Sequence, residues 1–470
     1  MSHSSLPLAL AAGPTPRFGP SRMTAALDRW LPWQERLVAL TVLLVPVNWA
    51  LGTTLAFVFA TGLVLALSLV RFSVLETVLL VLMGALTLSL VLALGEGADA
   101  DRVLAAIYNL AIIALFVLFL NGGRKLQLAS DPRRDRRRGL YRAGTVGFAI
   151  SLVVFSGVYV YGLKAGDLRL DFNTLVLGRL GELPGILKLY AKVAISIPDW
   201  SGTADRLRLV GFGIYATEGA FLFMAMGLFA TIWASRRGLA WLVAVELAIC
   251  AVGFAMGSRT LLAAYILSIG FYAGFARRPM GPALVVALPI LVPGLAFALI
   301  EGPRLAADAF AAVNEARAGS SATRFLTYTL AIDMVRDTNL LTGLGIKPRD
   351  HAALGIPIGS HSSFVSQFTK GGLLALAIYG AFFALALRQV LRSVARLRAT
   401  QAALGRDTAV EALALARLSA IYLFWCVTED FDAPAHAAAL GGLVLGLLRG
   451  IEDRAERLHA VPARGPFRSP

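Results

Sequence analysis

Gly359-Ser360-His361-Ser362-Ser363-Phe364-Val365-Ser366-Gln367-Phe368-Thr369-Lys370-Gly371-Gly372-Leu373-Leu374-Ala375 joins a polar, glycine-punctuated loop to a long apolar run. Upstream, Gly343, Gly345, Pro348, Gly355, Pro357 and Gly359 have the spacing of a turn-rich irregular loop. Downstream, the apolar run continues to Leu387, long enough to cross a hydrocarbon layer, which takes about 20 residues. Such a join puts a titratable imidazole and pliable backbone at a membrane surface.

The rest of the chain agrees with a membrane setting. Over 470 residues it is 57% hydrophobic, with a mean hydropathy of +0.70, whereas soluble domains are apolar at roughly half of their positions. Twelve apolar runs are candidate spans: 35–51, 53–70, 73–94, 103–120, 143–163, 209–234, 239–257, 260–276, 281–300, 364–387, 412–428 and 434–448. The expectation is an all-α, multi-pass membrane protein of about 12 helices. A tail covers residues 1–34, the transmembrane domain 35–448, and a second tail 449–470. The first 33 residues lack the apolar core and cleavage site of a secretory signal, so the first helix is expected to be retained. Cys250 and Cys426 each lie within an apolar run and read as packing residues, with no disulfide framework.

A net charge of +15 raises the question of nucleic acid, which the distribution of that charge answers. With the N-terminus in the cytoplasm, every strongly basic connection falls on one side, including the loop at about 121–142 with Arg133-Arg134-Asp135-Arg136-Arg137-Arg138. That side holds 28 Lys and Arg against 11 Asp and Glu; the other holds 16 against 18. The asymmetry is the positive-inside rule, and it leaves contact with anionic lipid as the expected use of the basic loops, with no nucleic acid. Two long loops, about 164–208 and 301–363, lie on the non-basic side. The first holds an amphipathic stretch around 175–197. The second is expected to hold a helix at about 303–317 and another following Ser321 as its cap, with Phe325, Ile332 and Val335 on one face.

Three residues far apart in sequence meet on that side: Arg208, Arg259 and His361. Two guanidiniums can hold a diphosphate through forked, charge-assisted hydrogen bonds, and a neutral imidazole can take a proton from an attacking hydroxyl. Equally, an arginine near a helix end can snorkel to the interface, and a lone histidine can be a structural hydrogen-bonder. Arg324 is a candidate substrate contact or a solvated helix position. Glu218, Lys370 and Glu246 fall inside the membrane on this reading, where charges mark functional sites by default; a buried Glu218–Lys370 ion pair would satisfy both partners structurally. Glu429-Asp430-Phe431-Asp432, with His436 nearby, mimics a divalent-metal motif, and the simpler reading is hydrated acids in a short loop. Gly343-x-Gly345 is a turn.

Arg324-x-x-x-Tyr328-x-x-Ala331-x-x-Met334, Leu341-x-Gly343-x-Gly345 and His361-x-x-Phe364-x-x-Gln367-x-x-x-Gly371-Gly372-Leu373 together resemble the signature region of the O-antigen ligase and polymerase superfamily. Ser258-Arg259 is similar to that family's Ser-Arg pair, and Arg208-x-x-Gly211 to its arginine and glycine entering the middle span. Ser362 stands where the family often has Asn. The resemblance implies a GT-C-type helical fold and metal-independent glycan transfer at the periplasmic face of a bacterial inner membrane. Its donor is an undecaprenyl-diphosphate-linked glycan and its acceptor a glycan or lipid-anchored hydroxyl. It also implies His361 as the base, with Arg208 and Arg259 on the departing diphosphate, Arg324, Glu218 and Lys370 as further substrate contacts, and no cofactor. A lipid or glycan flippase, or a solute transporter, is the reading from another class, although no internal repeat of the kind such transporters carry is visible.

Overall fold

The structure, a computed structural model, describes residues 22–128, 138–165, 170–180, 188–198, 207–271, 318–349 and 357–460. In chain order these form α1 (Arg22–Leu43), α2 (Val45–Leu51), α3 (Thr54–Ala66), α4 (Val74–Gly95), α5 (Ala100–Leu128), α6 (Arg138–Ala165), β1 (Leu170–Asn173), α7 (Lys188–Ala191), β2 (Lys192–Pro198), β3 (Leu207–Leu209), α8 (Ala216–Ser235), α9 (Leu239–Ala255), α10 (Arg259–Ile269), α11 (Ala318–Thr338), α12 (Ser363–Ala395), α13 (Leu397–Leu404), α14 (Arg406–Thr428) and α15 (Ala435–Ala460).

Seven of these helices, α4, α5, α6, α8, α12, α14 and α15, are long and apolar enough to cross a membrane. Shorter apolar helices fall at Thr54–Ala66, Leu239–Ala255 and Thr260–Ile269. This is the helix content of a multi-pass membrane protein. The expected span at 281–300 and the loop helix at 303–317 lie outside the described residues. The expected spans 35–51 and 53–70 become α1, α2 and α3, with α1 reaching back to Arg22 and so into the expected tail.

Burial separates the centre of the bundle from its rim. In the apolar window of α15, 94% of residues are buried, and of α8, 89%, against 33% in α6. The α15–α5 contact at the centre is set by glycine. Gly442, Gly446 and Gly450 recur every fourth residue, and a Cβ on any of them would meet the α5 backbone or side chains at Phe116, Leu120, Arg124 and Gln127. From the other side, Gly123 of α5 lies against the Leu443 carbonyl. Small residues at this spacing let two helix backbones approach closely where lipid supplies no hydrophobic driving force between them. The stripe is plain in the sequence.

The connections sort to two ends. At one end Arg124 pairs with Asp453 at 2.6 Å and lies 3.9 Å from Glu76, and Arg449 reaches Asp453 at 3.0 Å. At the other, Trp49 donates to the Gly213 carbonyl at 3.2 Å and Tyr108 to the Ala433 carbonyl at 2.9 Å. This second end also carries an antiparallel sheet in the order β1-β2-β3, with Ile197 opposite Arg208. The stretch expected only to be amphipathic therefore ends in a strand. The alternation of Val193, Ile195 and Ile197 with Ala194 and Ser196 is its period-2 signal.

α11 begins at Ala318, earlier than a cap at Ser321 predicts. Its buried positions are Thr327, Ala331 and Val335, spaced by four, while Leu326 and Ile332 face outward. The chain after it inserts into a break in α12. There Gly372 (φ 59°, ψ −154°) leaves the helical conformation in a region open essentially to glycine. The break is stitched by four main-chain hydrogen bonds: Leu344 and Gly345 N–H donate to the Thr369 and Lys370 carbonyls at 2.9 and 2.8 Å. In return, Leu373 and Leu374 N–H donate to Leu340 and Leu341 at 2.9 and 3.1 Å. Backbone groups freed by the kink are thus re-satisfied inside protein, as a membrane setting demands.

Candidate functional site at the sheet end

Two groups of polar side chains occupy the sheet end. The first is built on Arg208. Gly211 takes a positive φ of 76° to turn the chain from β3 toward α8, with Met256 packed where a side chain would be. The Arg208 side chain runs over Gly257, itself at φ 62°, and donates from Nε to the Met256 carbonyl at 3.2 Å. Arg259 opens α10 just beyond this corner; its side chain lies outside the described residues. The turn therefore brings the two expected arginine positions together through backbone that only glycine adopts easily.

The second group surrounds His361. Among the described residues His361 is the one non-glycine with positive φ, at 68°. Holding such a residue left-handed costs roughly 1–2 kcal/mol, and two contacts hold it: the Tyr328 hydroxyl donates to its carbonyl at 2.6 Å, and Glu429 Oε2 lies 3.6 Å from its Nδ1. Burial raises the Tyr328 hydroxyl above its ordinary value against the opposing pull of Arg324, so it remains a donor at neutral pH. The imidazole is 37% exposed, open enough to meet a substrate.

The acids at 429–432 are not hydrated loop residues as expected. Phe431 is fully buried and stacks on Tyr379, which pins its neighbours in place. Each acid then takes a basic partner from a different element. Glu429 meets Arg324 of α11 at 3.4 Å, Asp430 meets Lys347 at 2.7 Å, and Asp432 meets Lys370 of α12, with Gln367 donating to the same oxygen at 3.0 Å. Burial pushes Asp430 above the usual carboxylate range, outweighing Lys347. For Asp432 burial pulls upward as well, but Lys370, Lys347 and the two side-chain hydrogen bonds outweigh it and hold the carboxyl low.

Two expectations need correction. Lys370 pairs with Asp432 and not with Glu218. Glu218 stands in the first turn of α8, not ten residues deep, because Leu207–Leu209 is a strand and the helix starts at Ala216. Its carboxylate accepts the Ile214 N–H at 2.7 Å and the Ala437 N–H, so it satisfies backbone donors at the buried start of two helices. Glu246 is also spoken for, by Arg417 in a forked pair at 2.6 and 3.0 Å and by the Tyr265 hydroxyl. Tyr215, which precedes α8, lies in the electrostatic field of Glu218, Asp430, Glu429 and Arg349. Glu429 enters the sequence reading only as part of the acidic 429–432 motif, read as hydrated acids, and Lys347 is not singled out there, since nothing local distinguishes it from a surface charge.

The sequence matches no protein-family model and no curated protein.

Proposed function

We propose that the protein is a membrane glycosyltransferase that moves a glycan from undecaprenyl diphosphate onto an acceptor hydroxyl, at the periplasmic face of a bacterial inner membrane. The observation that carries this reading is His361: a half-open imidazole held in a strained backbone, beside a carboxylate and an arginine, at the mouth of a broken helix. Strain of this kind concentrates at functional sites because the surroundings must hold it in place. The resemblance to the O-antigen ligase and polymerase superfamily supports the same reading, and with it about 12 spans in a GT-C-type arrangement.

In the proposed reaction His361 takes the proton of the acceptor hydroxyl as its oxygen bonds to the anomeric carbon. The bond from that carbon to the diphosphate oxygen breaks, its electron pair leaves with the lipid diphosphate, and the sugar centre inverts. Charge builds on the leaving group, so Arg208 and Arg259 act where donors aimed at developing charge are worth most. In this reading Arg324 contacts the diphosphate or the sugar of the substrate.

The transporter reading has one observation in its favour, the break in α12 beside Lys370, since discontinuous helices line transporter sites. Lys370 is, however, neutralised by Asp432, and the break is closed by main-chain hydrogen bonds. A deletion strain complemented with wild type, His361→Ala, Arg208→Ala or Arg259→Ala separates the readings. We expect loss of surface glycan with accumulation of lipid-linked glycan, each arginine costing about 10²- to 10³-fold in rate. Normal polymer in all three variants would overturn the assignment. Single capped repeats would mark a polymerase, and full-length chains left on the carrier lipid a ligase.

A further inference from the structure

Glu429 has no part in the reaction described above, yet the His361 group converges on it. Its Oε1 faces Arg324 at 3.4 Å and its Oε2 faces His361 Nδ1 at 3.6 Å. Its main chain is fixed independently of its carboxylate: the Glu429 carbonyl accepts from Ser363 Oγ at 2.7 Å, and that hydroxyl accepts the Phe431 N–H at 2.9 Å. The side chain is 14% exposed and so partly shielded from competing water. Of the other charged groups nearby, Lys347 is committed to Asp430 and Lys370 to Asp432, and Arg349 shares the field at Tyr215 with Glu429 and Asp430. From α11, Tyr328 presents its hydroxyl to the His361 carbonyl, away from the ring nitrogens. Glu429 is the carboxylate left to face the imidazole.

We propose that Glu429 is a positioning residue for His361, acting through Nδ1. A carboxylate on that side keeps the proton on Nδ1, leaves the Nε2 lone pair toward the acceptor, and stabilises the imidazolium formed when the acceptor proton arrives. The 3.6 Å separation closes to a hydrogen bond with a small side-chain rotation, and contacts of this type tighten when substrate binds. Arg324 on the opposite oxygen holds the carboxylate in register. The proposal rests on the reading of His361 as the base.

The test is turnover by the full-length protein in nanodiscs, followed against pH, with lipid-linked glycan extracted from the deletion strain as donor. Glu429→Gln should lower kcat about 10- to 100-fold, a share of the 10²–10⁴ that general-base catalysis supplies. KM should stay nearly unchanged, and the acidic limb of the rate profile should move, a readout that a merely structural role would leave in place. Glu429→Asp, which keeps the charge and shortens the reach, should fall between wild type and Gln. Ser363→Ala, which loosens the main-chain anchor alone, should leave the acidic limb in place. A Gln variant with wild-type kcat and an unmoved profile overturns the proposal, as does one changed only in KM. Should Gln not fold, an Asp variant with undiminished kcat overturns it equally. An active His361→Ala protein would sink the base reading itself; an inactive one beside an unchanged Glu429→Gln would sink only the positioning role.

Discussion

Two of the charge clusters in this bundle are finished differently. Glu246 and Arg417, joined by Tyr265 and Ser268, form a sealed unit: Arg417 is fully buried, both carboxylate oxygens receive guanidinium N–H groups, and the guanidinium sits over the Tyr265 ring at 5.1 Å. The Glu429 cluster at the sheet end shares its carboxylate between two long contacts, exposes its imidazole, and strains a backbone to do so. Charges inside a membrane bundle are functional candidates by default, and this pair of clusters shows how to divide them. Full reciprocal satisfaction belongs to architecture. Incomplete satisfaction maintained at a cost belongs to chemistry.

The comparison is broken most forcefully at its sealed half. Arg417→Ala strands the Glu246 carboxylate in the core, and removal of one member of a buried pair costs about 3–5 kcal/mol. We expect most folded protein to be lost in a detergent thermal-unfolding assay, with Glu246→Leu/Arg417→Met recovering much of it. A stable, inactive single variant would make that cluster functional and erase the distinction. At the open half, His361→Ala should cut activity about 10²- to 10⁴-fold with unfolding little changed, since Ala keeps the Cβ that makes φ 68° costly. Gly372→Ala tests the stitched break: a Cβ there meets the Leu341 carbonyl in a conformation costing roughly 1–3 kcal/mol, read as a lowered Tm.

The smallest effect separates Asp432 from Asp430 by pH. Asp432 is held below its ordinary value, so its stabilisation is full above the unfolded carboxylate pKa and is lost as pH falls through the depressed folded value. Asp430 is raised, so its contribution is present below the unfolded value and lost as pH rises through the folded one. Stability measured from neutral pH downward should therefore fall less steeply in Asp432→Asn than in wild type, and more steeply in Asp430→Asn. Identical curves for the two variants would contradict the opposite directions.

Much of the helical plan was readable because hydropathy and charge act over whole segments, and a segment-long signal survives local noise. The partners were not readable. Lys370 and Asp432 lie 62 residues apart, and Glu218 offered an equally plausible carboxylate until the strand at Leu207–Leu209 shifted the start of α8 and placed Glu218 beside backbone donors. The sheet escaped because its strands are short and stand in a loop where helical amphipathicity was the stronger pattern. Arg208, with Gly211 and Gly257, was legible for a physical reason: positive φ demands glycine, and glycine leaves a mark in sequence. Glu429 left only its place in an acidic run, because its meaning depends on which side chains surround it.

The stitch between residues 340–345 and the break in α12 carries a consequence for biogenesis. α11, which brings Arg324 and Tyr328, is translated before the helix that receives it, and its acidic counterparts at 429–432 come later still, just ahead of the final helix. The basic side chains Arg324, Lys347 and Lys370 must therefore wait for charge compensation until the chain has been inserted as far as residue 432. Completion of the proposed site is thereby tied to insertion of α14, so a chain truncated before residue 429 carries the histidine without the carboxylates that face it.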